Sequence, residues 1–155
     1  VKTLLWVMAL MLSAQICSAE SLVGTWRCEL IASTDPDFIS NAETVTYLPD
    51  GSLRTEVTTE YQFWDAPISL AARATGTWVL ENSTLQTDYM SLEILRLTLS
   101  GNDHTDTPLA ESMKDKVFDL DIAPATITYD GSDRFYYDDG TDRQMCHRIP
   151  ERAIS

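Results

Sequence analysis

Basic residues are scarce in this chain. Lys and Arg number 11 against 24 Asp and Glu, and the formal net charge is −13 over 155 residues. Such a surface repels phosphate, which excludes nucleic acid as a partner and disfavours anionic lipid headgroups. Three Cys and two His are too few for a structural zinc cage of cysteines or a disulfide-dense miniprotein. Six Gly exclude a collagen-like repeat, and 44% hydrophobic residues exclude a disordered tail. No extended segment shows helical periodicity, and no apolar run approaches the roughly 20 residues that span a bilayer.

The longest apolar run, Leu4 to Leu12, follows Lys2 and precedes Cys17-Ser18-Ala19. A basic start, a short apolar stretch and a small-x-small site predict a cleaved signal peptide over residues 1–19. A single domain over 20–155 is then expected in a bacterial periplasm or outside the cell, with no membrane contact after cleavage. Cleavage removes Lys2 and Cys17. Cys28 and Cys146 remain in an oxidising compartment, where one disulfide is the simplest outcome and two separate thiols the alternative. A bridge requires Cα atoms about 4.4–6.8 Å apart.

Alternation dominates the chain beyond residue 20. Leu22, Gly24, Trp26, Cys28 and Leu30 share one phase. From Ser52 to Trp64, Leu53, Val57, Tyr61 and Phe63 oppose Arg54, Glu56, Thr58, Glu60 and Gln62, with Thr55 and Thr59 on the apolar phase. Gly76, Trp78 and Leu80 oppose Thr77 and Glu81, and Phe118, Leu120 and Ile122 oppose Asp119 and Asp121. These are strands with one wet face, as in an antiparallel sheet. Asp50-Gly51, Asp130-Gly131, Asp139-Gly140 and Asn82-Ser83 supply the turns. Ala66 to Arg73 reads as a turn or two of helix capped by Asp65, and Gly101 to Lys114 as a long polar loop. Met90 to Leu99 changes apolar phase midway, which requires a bulge or a strand covered on both faces. Gly24-Thr25-Trp26 recurs as Gly76-Thr77-Trp78, either as a meander built twice or by chance.

Leu22-Val23-Gly24-Thr25-Trp26 resembles the Gly-x-Trp opening of lipocalins and the wider calycin superfamily. The Tyr-x-x-Asp-Gly hairpin at 47–51, the second Gly-Thr-Trp at 76–78 and the closing Cys-His-Arg at 146–148 look like those of small bacterial lipocalin-like domains. The resemblance implies an all-β, antiparallel up-and-down barrel or strongly curved meander of about eight strands. It also implies that Trp26 packs at the closed end under Arg148. The other loop motifs of large lipocalins are missing.

The register is testable by arithmetic. In an antiparallel pair, opposed residues have a constant index sum. Trp26 opposite Arg148 and Cys28 opposite Cys146 both sum to 174, so one register places the stack and the bridge side by side. Closure of a barrel is what brings first and last strands together.

No catalytic constellation is recognisable: there is no nucleophile elbow and no Ser, His and acid set. His104 lies in a polar loop without a second ligand at metal spacing, and the aspartates at 130, 133, 138, 139 and 142 lack the twelve-position calcium pattern. No metal, no cofactor and no enzymatic activity are therefore expected, and Trp26, Trp78 and Arg148 are assigned structural roles. Tyr61 and Phe63 share the inward phase of their strand, with Tyr47, Trp64 and Tyr89 near strand ends or in adjoining loops. These five are the candidate ligand-binding residues. A small apolar or amphipathic ligand in a hollow barrel is the first expectation. A filled barrel that engages a protein, for example as an inhibitor of a secreted protease, is the alternative. A cavity of roughly 300 Å³ or more separates the two.

Overall fold

The computed structural model describes residues 22–63, 65–118 and 122–150; the expected signal peptide and Trp64 lie outside them. Nine strands run in order: β1 Gly24–Ser33, β2 Phe38–Tyr47, β3 Ser52–Phe63, β4 Ala66–Glu81, β5 Thr84–Leu99, the two-residue β6 Asn102–Asp103, β7 Ala125–Tyr129, β8 Arg134–Asp138 and β9 Asp142–Ile149. The helix α1, Pro108–Phe118, lies between β6 and β7. All pairings are antiparallel between chain neighbours, with β5 pairing β7 across the helix. The β1–β9 pair completes a ring of hydrogen bonds through eight strands, and β6 adds only to the end of β5. The molecule is thus an all-β, barrel-like up-and-down sheet.

The turns carry the expected chemistry. Gly51, Gly131 and Gly140 take φ of 81°, 87° and 88°, and Asn82 and Ser83 take 48° and 66°, as a two-residue hairpin turn requires. Asp50 fastens the first of these turns by accepting from the Ser52 amide at 2.9 Å and its hydroxyl at 2.6 Å.

Trp26 faces Arg148 and Cys28 faces Cys146, the register with index sum 174. The cysteines are bonded, with Cα atoms 4.0 Å apart. That is just below the expected range; the two residues are directly opposed, the arrangement in which antiparallel Cα atoms come closest.

Three sequence expectations are corrected. Ala66 to Arg73 is not helical but the first half of β4. Alanine favours helix intrinsically, yet Ala72 and Ala74 fall on the inward phase of a long strand and are buried. The polar stretch from Gly101 contains β6 and α1 rather than a loop alone. Ala110 is buried on that helix, as is Leu97 on β5, against which α1 packs. The strand expected around Phe118 and Ile122 is absent there, since Phe118 ends α1 and Ile122 lies in irregular chain. Residues 119–121 lie outside the described residues.

The phase change in β5 is a bulge, and there are two. Ala71 faces Arg96 while Ala72 faces Ile94, and Thr75 faces Ser91 while Gly76 faces Tyr89. Leu95 and Met90 are the additional residues and turn outward. Ile31 and Ile39 are displaced likewise from β1 and β2. Each bulge increases local twist, which helps the sheet to curl.

Candidate functional site: the interior of the ring

One end of the ring is sealed by the β1–β9 pair. Trp26 is fully buried, its indole N–H donates to Leu22 O at 2.7 Å, and Phe135 meets it edge-on at 4.6 Å. The Arg148 guanidinium lies over the indole, 4.1 Å from the ring centroid, and Nη1 donates to Val23 O at 2.8 Å. Gly24, at φ 130°, makes this possible: a Cβ there would stand 2.5 Å from Arg148 Nη1. Trp78 extends the seal, with its indole N–H donating to Leu48 O and its ring 5.4 Å from that of Tyr47. The second Gly-Thr-Trp has its own steric reason, because a Cβ on Gly76 would meet Asp88 O at 2.1 Å.

Beyond this floor lies a cavity of about 390 Å³. Its wall is assembled from inward phases of several strands: Asn41, Glu43 and Tyr47 of β2, Thr55 and Val57 of β3, Thr87, Tyr89 and Leu92 of β5, and Tyr137 of β8. Cys28 and Ala74 also line it, and Asp139, Asp142, Gln144 and Ile122 complete it. Part of the space exists because β4 contributes only a methyl group at Ala74.

Ten of the fifteen lining residues carry polar side chains, three of them acidic and three phenolic. Glu43 faces Cys28 on one side and Val57 on the other. Its Oε1 accepts from the Thr55 hydroxyl at 2.5 Å. Burial raises the Glu43 carboxyl above its ordinary pKa, and the Thr55 hydrogen bond opposes that rise. Tyr47, Tyr89 and Tyr137 are all raised, first by burial and then by nearby carboxylates, Glu43 acting on each. Asp139 and Asp142 act on Tyr137 as well. The three phenols are therefore neutral donors across the physiological range. Glu43, Asp139 and Asp142 contribute the charge of the wall, and no Lys, Arg or His is among the described residues that line it.

Of the five candidate ligand-binding residues, Tyr47 and Tyr89 line the cavity and Tyr61 does not. Tyr61 donates to the Asp35 carboxylate at 2.8 Å and leans on Phe38, tying β3 to the segment between β1 and β2. Phe63 ends β3, and its side chain, like all of Trp64, lies outside the described part of the structure. Sequence reasoning missed Glu43, Asn41 and Tyr137. Glu43 and Asn41 had a legible signal, since both share the phase of Val45 and Tyr47: an acid on an apolar phase marks an inward-facing charge. Among the described residues no group of three or more His, Cys, Asp and Glu is arranged to hold a metal, and no helix is long and apolar enough to cross a membrane.

The fold and site define an antiparallel, ring-closed β-sheet around a cavity whose wall sets three carboxylates and three phenols beside apolar surface. Among known proteins, no family model matches the chain and no curated protein matches it.

Proposed function

We propose that this protein is a non-catalytic binding module, exported to a periplasm or the cell exterior, that holds a small amphipathic molecule inside a lipocalin-like ring. The cavity carries this reading. Its volume, about 390 Å³, falls within the size of small-molecule sites, and its wall sets polar groups beside apolar surface, as an amphipathic ligand requires. The Cys28–Cys146 bond supports the compartment, because such bonds persist where thiols are oxidised. The filled-barrel alternative, with function confined to an outer protein-binding face, has no use for this space.

The test is titration of protein comprising residues 20–155 with N-phenyl-1-naphthylamine, an uncharged dye that brightens in apolar surroundings. Saturable enhancement with one site per chain is expected. No enhancement, together with no small molecule retained in native mass spectra of protein taken from its host, would favour the filled barrel.

A further inference from the structure

We propose that the ligand is an organic cation, an amine on a compact apolar body, with Glu43 as the counter-ion of its ammonium group. The inference rests on the small-molecule reading above and adds the sign of the ligand's charge. Three observations support it. The described cavity wall holds the carboxyl groups of Glu43, Asp139 and Asp142 and no basic side chain. Charges drawn partly out of water are normally paired, and the half-buried Glu43 receives a hydroxyl hydrogen bond from Thr55 rather than a cation. A carboxylate has about four acceptor sites and Thr55 occupies one of them, which leaves Glu43 able to accept from an ammonium group.

The surroundings suit the same guest. Tyr47, Tyr89 and Tyr137 present rings whose faces attract cations, and their hydroxyls accept hydrogen bonds. Val57, Ala74 and Leu92 offer an apolar surface for the remainder of the molecule. An anionic ligand of the same shape would face repulsion from all three acids. The formal charge of −13 acts at longer range, drawing cations toward the molecule at a rate that falls as salt is added.

The experiment compares three ligands of similar size on the protein as it exists: 2-phenylethylamine, 2-phenylethanol and 3-phenylpropanoate. Each is titrated by calorimetry at neutral pH and by displacement of N-phenyl-1-naphthylamine. The amine should bind tighter than the alcohol by on the order of tenfold or more, as a charge-assisted contact implies, and the carboxylate should bind weakest. Glu43→Gln should abolish the preference for the amine, whereas Glu81→Gln, the same charge change on an exposed residue outside the cavity, should leave it intact. Equal affinity for amine and alcohol, a preference for the carboxylate, or an undiminished preference in a folded Glu43→Gln protein would each overturn the proposal. The wild-type comparison decides even if that variant fails to fold. If the dye binds but the amine has no advantage, only the charge inference fails. If neither the dye nor any of the three binds, the cavity reading fails with it.

Discussion

The hydroxyl of Thr55 donates to Oε1 of Glu43 over 2.5 Å, from the position diagonal to it across the β2–β3 pair. This contact partly offsets the desolvation of a half-buried carboxylate. Glu43 is thus held in an environment that disfavours its charged form.

The sign of that shift sets how stability depends on pH. A carboxyl whose folded pKa is raised contributes stability below its unfolded pKa and loses it as pH rises through the folded value. Glu43→Gln should therefore stabilise the empty protein at neutral pH, and the gain should shrink once the pH falls below the ordinary carboxylate range. Denaturant melts of both proteins at the two pH values check this. A variant less stable than the parent at neutral pH would mean that the charge is better solvated than the structure indicates.

The phenols give a second pH window with the same sign. Tyr47, Tyr89 and Tyr137 are raised above their ordinary pKa by burial. Their contribution is complete below the unfolded value of about 10 and declines as pH climbs through the folded values. The phenolate absorbance should rise in two stages, with the later stage coinciding with loss of the near-ultraviolet circular dichroism. Tyr137→Phe should remove amplitude from the later stage alone.

Removing the disulfide should cost about 2–5 kcal/mol, because the bond spans 118 positions and joins the strands that close the ring. Cys28→Ser with Cys146→Ser, followed by denaturant unfolding, measures it. In the parent protein beginning at residue 20, unfolding without reductant should expose no free thiol.

Trp26→Ala should cost about 3–5 kcal/mol, the range for truncating a buried Trp. It removes the indole that Phe135 and Arg148 enclose and leaves the Arg148 guanidinium without its stacking partner. Trp78→Ala should cost less, since Trp78 keeps 6% of its surface exposed where Trp26 keeps none. Equilibrium melts of the two variants rank them.

Gly76→Ala should destabilise far more than Gly131→Ala. The first places a methyl group against the backbone of β5, with Asp88 O at 2.1 Å, while the second meets nothing within 4 Å. Gly131→Ala carries only the strain of a positive φ, about 1–2 kcal/mol. Thermal melts of both variants test the contrast.

Much of this fold is legible in the chain itself. The alternation of Trp26 and Cys28, and of Leu53 and Thr55, assigns each strand's inner face, because successive side chains must leave a strand on opposite sides. Turn residues mark where strands end, and the index sum of 174 puts the Trp26–Arg148 pair that the resemblance implies in one register with the two cysteines. These are local or pairwise properties. The misread segments are those in which local preference and tertiary context disagree. The alanines of β4 are good helix formers placed on a strand because the sheet needs that strand there, and α1 is a short helix whose Ala110 is buried only once β5 is beside it.

The sequence by itself determined the inner phase of strands such as β1 and β3, the hairpin turns and the two cysteines left to pair. Only the tertiary structure decided that the inward residues leave a space, and that Glu43, Tyr47, Tyr89 and Tyr137 share it while Tyr61 turns to Asp35 instead. The physical reason is that periodicity specifies direction, whereas a cavity depends on how far apart facing walls stand. That distance is set by closure of the ring, by the bulges at Met90 and Leu95, and by the small side chain that β4 presents at Ala74.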